Sequence, residues 1–179
     1  MDYVIKRIDA SRSKDINIKN EPFKLTGKMT PFYNGKWSYK TTELPKSEIR
    51  DMTFPDENYD YDAMYKDFFF IGAYEKTGEC IAVMLLQKPM FKYLYLYDMK
   101  VNSLYRRKGV GRSLMKEAER LAIKEGYRGI YTVAQDDNLS ACLFYLGVGF
   151  EIGGLDTMVY DGTSQEGKSD IIFYKTLKK

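Results

Sequence analysis

At 179 residues the chain has the length of one domain, residues 1–179, and can bury a core without disulfides or metals to staple it. It holds 16 tyrosines, one tryptophan and no histidine, which excludes a Ser-His-Asp or Cys-His catalytic unit and an imidazole metal ligand. Any acid or base must then be a carboxylate, Tyr, Lys, Cys or water, and metal catalysis is disfavoured. A net charge of +3, from 28 basic and 25 acidic residues, is too balanced to point to nucleic acid.

Residues 1–7 carry charge with no long apolar run behind them, and no later window approaches the roughly 20 apolar residues of a membrane span. A cytoplasmic protein with no membrane partner is expected. Residues 40–67 are rich in acids (Glu43, Glu48, Asp51, Asp56, Glu57, Asp60, Asp62, Asp67) and carry prolines at 45 and 55, which reads as a helical or loop excursion. Residues 67–74 and 80–86 are apolar runs around a Gly-containing turn, a predicted hairpin.

Residues 93–101 alternate with the period of a strand, Tyr93, Tyr95 and Tyr97 on one face and Leu94, Leu96 and Asp98 on the other. The strand ends in a Gly-rich turn. From Ser113 onward Leu114, Met115, Ala118, Leu121 and Ala122 recur at helical spacing, and Gly126 terminates the helix. Residues 129–134 predict a buried strand, and Asn138 or Asp137 the N-cap of a short helix ending before Gly147. Residues 150–153, 157–160 and 171–174 supply further strands, with a polar turn over 161–170. Cys80 and Cys142 lie in apolar stretches and are expected as reduced core residues. The class is α/β with one mixed sheet.

A strand that stops at a turn rich in glycine and cations, followed at once by a helix, presents backbone N–H groups and a positive dipole end to an anion. In Arg106-Arg107-Lys108-Gly109-Val110-Gly111-Arg112-Ser113, Gly109 and Gly111 permit close approach. Arg106, Arg107, Lys108 and Arg112 can neutralise phosphate charge, and Ser113 adds a hydroxyl. No Gly-Lys-Ser/Thr ending marks a P-loop, and the third glycine of a dinucleotide fingerprint is missing.

Arg106-x-x-Gly109-x-Gly111 after one strand, then Asn138 and Ala141-x-x-Phe144-Tyr145-x-x-x-Gly149-Phe150 after the next, resembles in order and spacing the two central motifs of the GNAT N-acetyltransferases. That resemblance implies an α/β (α+β) fold with a central mixed, mostly antiparallel sheet, splayed at a cofactor wedge and flanked by helices. It implies acetyl-CoA as co-substrate and no metal. Pantetheine would lie between the strands ending near Val101 and Ala134 and pair with backbone groups of Met99 and Val101. The diphosphate would rest on residues 106–112, with Val110 among them; Asn138 would bond the cofactor arm, and Tyr145 would aim its hydroxyl at the cofactor sulfur. A phenol of pKa about 10 is matched to a departing thiol of about 8.5. A backbone N–H at the end of the 99–101 stretch would hold the oxyanion. For the base, Asp98 is the one strand carboxylate, and a structural partnership with Lys100 is an equal reading of it.

Glu21-Pro22-Phe23-x-x-x-Gly27-Lys28, Pro31-x-Tyr33, Trp37 and Asp156-Thr157-Met158-x-Tyr160 are similar to segments of one branch of that family, the streptothricin acetyltransferases. The similarity implies transfer to the β-lysine amino group of a polycationic antibiotic, and resistance to it. Acids of residues 40–67, with Glu43, Tyr97 and Asp156, would receive the cationic small molecule. A protein or polyamine N-acetyltransferase, and a non-catalytic acyl-CoA-binding regulator, stay open as alternatives, and so does a homodimer.

Overall fold

The computed structural model describes residues 2–177. Its regular elements are β1 (Tyr3–Arg7), β2 (Phe23–Leu25), β3 (Gly27–Tyr33), β4 (Trp37–Glu43), β5 (Arg50–Met52), α1 (Tyr61–Met64), β6 (Phe68–Glu75), β7 (Cys80–Gln87), β8 (Tyr93–Val101), α2 (Val110–Lys124), β9 (Gly129–Gln135), α3 (Leu139–Gly147), β10 (Glu151–Asp156) and β11 (Asp170–Thr176). They fall into two compact units, one of residues 2–22, 53–130 and 177 and one of residues 23–52 and 131–176.

The first unit is built on the antiparallel order β1-β6-β7-β8. The predicted β6–β7 hairpin is present, nearly every residue of both strands buried, as suits strands covered on both faces. One face holds an apolar cluster of Ile8, Ile16, Phe68, Phe70, Tyr74, Val83 and Leu85. α2 packs on the same sheet through Val110, Leu114, Met115, Ala118, Leu121 and Ala122, the stripe expected from spacing. It starts three residues before Ser113, at Val110, and Gly126 ends it at a φ of 78°. There the N–H of Tyr127 bonds the carbonyl of Ala122 at 2.8 Å.

In the second unit β3 and β4 form a hairpin over the three-residue turn Asn34-Gly35-Lys36, with Gly35 at a φ of 73°. β2 pairs with β5, and β9, β11 and β10 are neighbours in that order. Residues 40–67 are therefore not one excursion: they contain the end of β4, all of β5 and the short α1. Asn138 caps α3, its Oδ1 accepting the Ala141 N–H at 3.2 Å. Residues 157–160 are not a strand. The Asp156 carboxylate accepts the N–H groups of Met158 and Val159 at 2.9 and 3.1 Å, an Asx turn that stops β10. Cys142 is buried, whereas Cys80 is only half-buried; neither is in a disulfide, and burial pushes their thiols up to about 12 and about 11. Among the described residues no helix is long and apolar enough to cross a membrane.

Gly27 shows how tightly this unit is closed. It forms a parallel bridge with Asn138, and a Cβ there would lie 2.4 Å from the Thr42 carbonyl oxygen and 2.8 Å from a Leu139 methyl. Backbone cannot yield as a side chain can. Gly27→Ala should cost about 1–3 kcal/mol, read as a lower denaturant midpoint at unchanged slope.

Candidate functional site

The turn that joins β8 to α2 combines two left-handed residues, Arg107 at a φ of 61° and Gly109 at 88°. Glycine adopts that backbone freely, whereas for arginine it costs roughly 1–2 kcal/mol. The reversal starts α2 at Val110, with Gly109 as an N-cap that has no side chain to offer, so the N–H groups of Val110 and Gly111 lie at the helix's N-terminal end. Arg107, Lys108, Gly109 and Arg112 are exposed around them. The Lys108 ammonium lies 5.9 Å from the centre of the Tyr105 ring. Donors at a helix N-terminus, ringed by cations, suit an anion with several charged oxygens.

Two side chains expected to face that anion are engaged elsewhere. Arg106 donates from Nε to the Val101 carbonyl at 2.9 Å and from its two terminal nitrogens to the carbonyls of Pro22 and of Glu21, the latter at 3.1 Å. Its guanidinium is 3.7 Å from the Glu21 carboxylate. It braces the turn from within. The Ser113 hydroxyl is bonded to the Tyr3 hydroxyl at 2.8 Å. Val101, whose backbone groups are expected to meet pantetheine, thus has its carbonyl engaged by Arg106.

The strand carboxylate has changed face. β8 pairs Leu96 with Leu86 but Asp98 with Leu85, so Tyr97 is an extra residue in a bulge. Residues directly opposite in an antiparallel pair share a face. Asp98 and Lys100 therefore lie with Leu85 and Val83, and Met99 takes over the Leu96 side, opposite Met84. The expectation that Asp98 shares the Leu94/Leu96 face fails because strict alternation counts no bulge.

On its actual face Asp98 accepts the Tyr59 hydroxyl at 3.1 Å and is 3.6 Å from the Lys100 ammonium. Lys100, 7% exposed, is ion-paired with Glu57 and lies 3.4 Å from the Ile18 carbonyl. Burial pushes the Asp98 carboxyl above its ordinary range. Lys100 opposes that shift, Glu57 reinforces it, and the Tyr59 hydrogen bond opposes it. Tyr97, 45% exposed, has Phe68, Tyr95 and Tyr59 ring centres at 5.3, 5.8 and 6.1 Å. The result is a carboxyl group with raised proton affinity beside an aromatic wall.

The remaining predicted residues belong to the second unit. Tyr145, half-buried in α3, packs its ring against Phe144, Phe150 and Phe173 at 5.5, 5.5 and 5.6 Å. Asn138 is the cap described above. Glu43 is exposed at the end of β4, opposite Gly27, and Asp156 holds the Asx turn. Several acids of residues 40–67 are structural. Asp51 pairs with Lys24 at 3.2 Å, Asp56 accepts the Asn20 N–H at 2.7 Å, and Asp60 caps α1. Sequence reasoning missed Tyr59 and Glu21 as partners of the site and read Glu57 as one of the acids facing the ligand, whereas it pairs with Lys100; a lysine inside an otherwise apolar strand is the signal that points to an acid near Lys100.

Comparison with known proteins identifies the family and the fold. Residues 32–150 match the acetyltransferase (GNAT) family. Streptothricin acetyltransferase A of Bacillus subtilis is 30% identical over 172 residues, 96% of this chain and 98% of that protein. A Bacillus anthracis crystal structure in complex with acetyl coenzyme A superposes with a TM-score of 0.86 at 23% identity, covering 99% and 100% of the two chains. The crystal structure of nourseothricin acetyltransferase gives 0.80 at 21% identity, with 98% and 99% covered. The mixed, mostly antiparallel fold flanked by helices is the one expected.

Lys100 is buried and leans on Glu57, which is itself 35% exposed in its side chain. Glu57→Gln leaves the ammonium with a weaker set of acceptors. We expect a loss of about 2 kcal/mol, less than for a fully buried pair because solvent screens Glu57, seen as a fall in Tm of about 4–8 °C.

Proposed function

The chain belongs to the acetyltransferase (GNAT) family, and from that premise we propose that it moves the acetyl group of acetyl-CoA onto the β-lysine amino group of a streptothricin, conferring resistance. Acetyl-CoA is the donor and N-acetyl transfer the reaction class. The acceptor and the residue roles are our reading. The observation that carries it is a relationship to a streptothricin acetyltransferase running through almost the whole chain, flanking segments included. A shared fold alone would leave the acceptor open. The reading takes residues 1–179 as one catalytic domain working in the cytoplasm.

In this mechanism the diphosphate rests on the first-turn N–H groups of α2 and on Arg107, Lys108 and Arg112, with Arg106 as the brace. Met99 and Val101 offer backbone groups, and Asn138 its amide, to the pantetheine arm. The acceptor amine is an ammonium in water and must lose a proton before it attacks. Asp98, whose affinity for protons burial raises, takes it directly or through water. Attack on the thioester carbonyl forms the C–N bond and an oxyanion, held by a backbone N–H at the end of β8. Collapse breaks the C–S bond as Tyr145 gives its proton to the departing thiolate; the attacking nitrogen sheds its second proton, which returns to the Tyr145 oxygen through water, leaving the neutral amide and the free thiol. Tyr97, Glu43 and Asp156 face the cationic drug.

A thiol-release assay with acetyl-CoA against streptothricin, an aminoglycoside, spermidine and an N-terminal peptide tests the acceptor. We expect the highest kcat/KM for streptothricin, and a streptothricin KM that rises with salt because polycation binding is screened. Faster turnover of the peptide or of spermidine removes the antibiotic while keeping the transferase; acetyl-CoA binding without turnover of any amine points to the regulator.

Tyr145→Phe keeps the packed ring and deletes only the proton donor. The maximal rate should fall by about 10²–10⁴ with acetyl-CoA affinity nearly intact. A wild-type rate, with chemistry shown to be rate-limiting, returns Tyr145 to the core.

A further inference from the structure

The segment Glu21-Pro22 lies outside the phosphate-binding turn in sequence, yet most of what shapes that turn ends on it. The Glu21 carboxylate accepts the Ser103 N–H, where the chain leaves β8. It is also 3.7 Å from the Arg106 guanidinium, which donates to the Glu21 and Pro22 carbonyls. The same guanidinium reaches back to the Val101 carbonyl at 2.9 Å. One planar, five-donor group therefore joins the last residue of β8, the turn it belongs to and a distant strand-less segment. A lysine has one nitrogen and cannot make that fork.

We infer that Glu21 and Pro22 form a latch that holds the phosphate-binding turn in its anion-receiving shape through Arg106, which makes Glu21 a positioning residue for acetyl-CoA. The turn needs such a brace. It carries a left-handed arginine, Arg107, a conformation that persists only where the surroundings impose it. Fixing the chain at Val101, Ser103 and Arg106 restricts the path into Arg107 and so sets where the N–H groups of Val110 to Arg112 emerge. Glu21 spends its charge on a backbone N–H and a guanidinium, so it is neutralised locally although it belongs to a site for a polyanion. The inference rests on the assignment of residues 106–112 to the diphosphate.

The sign of one substitution separates a latch from a field effect. If Glu21 acted only through its charge, Glu21→Gln would remove a negative charge near a polyanion and tighten binding. The latch predicts the reverse. Calorimetric titration of the full chain with acetyl-CoA should show Glu21→Gln weakened about tenfold, the scale of one lost charge-assisted hydrogen bond, with Tm and acceptor KM close to wild type. Arg106→Lys, which keeps the charge and loses the fork, should weaken acetyl-CoA similarly and carries the test if Glu21→Gln fails to fold. Unchanged or tighter binding in a folded Glu21→Gln, or wild-type affinity in Arg106→Lys, overturns the latch. Arg107→Ala with Lys108→Ala is the control: strong weakening there beside a wild-type Glu21→Gln keeps the diphosphate assignment and rejects the latch alone, whereas unchanged affinity in the control rejects the assignment itself.

Discussion

β8 spends one residue more than β7 at Tyr97, and the chemistry that the strand can offer depends on that single insertion. With strict alternation Asp98 would join Leu94 and Leu96, which are 0% and 2% exposed. A carboxylate placed among them would be desolvated with nothing to bond and would stay protonated. The bulge turns it instead toward Tyr59 and Lys100, while Leu96 and Met99 keep the other side filled. Lys100 then becomes the most demanding residue of the strand: it is almost fully buried, and Glu57 has to be delivered to it from the irregular chain before α1. Residues 53–60 look like a loop, yet their course is constrained by this one ammonium.

A chain without histidine has few ways to handle protons near neutral pH. Burial raises the carboxyl of Asp98 above its ordinary range, and the Tyr145 ring is packed against Phe150 and Phe173. The cations near the turn divide similarly by surroundings. Arg107, Lys108 and Arg112 are exposed, while Arg106 is bonded to three backbone carbonyls. Sequence alone makes the four look alike, and only the brace has a geometry that demands arginine.

Much of this was legible in advance. The β6–β7 hairpin, the apolar stripe of α2, the Gly126 stop and the Asn138 cap follow from periodicity and capping chemistry, which act over a few residues and leave local signatures. The motif pair led to the family, because its order and spacing reflect a shared path of the chain. What was not legible depends on partners far away in sequence. The bulge at Tyr97 is set by what β7 requires opposite it. The acids of residues 40–67 read as a ligand-facing cluster, but Asp51, Asp56, Glu57 and Asp60 satisfy Lys24, Asn20, Lys100 and the first turn of α1. Residues 157–160 have strand composition and lose to the Asp156 side chain, whose two hydrogen bonds close a turn first.

The flanking segments that resemble those of streptothricin acetyltransferases acquire a physical meaning from these contacts, and it is not the expected one. Glu21 and Pro22 bond Ser103 and Arg106 in the turn between β8 and α2. Gly27 admits the close approach of β4 and bridges Asn138, the Lys28 ammonium is 2.8 Å from the buried Asp136 carboxylate, and the Met29 N–H bonds the Asp136 carbonyl at 2.8 Å. Each of them holds one part of the chain to another, although Pro22 and Lys28 are themselves exposed. Likeness in these segments therefore reports a common way of constructing the site. In the proposed reaction, discrimination among amines would fall to side chains left in reach of solvent, such as Tyr97 and Glu43, where an aromatic face or a carboxylate can meet a cation without being needed to hold the chain together.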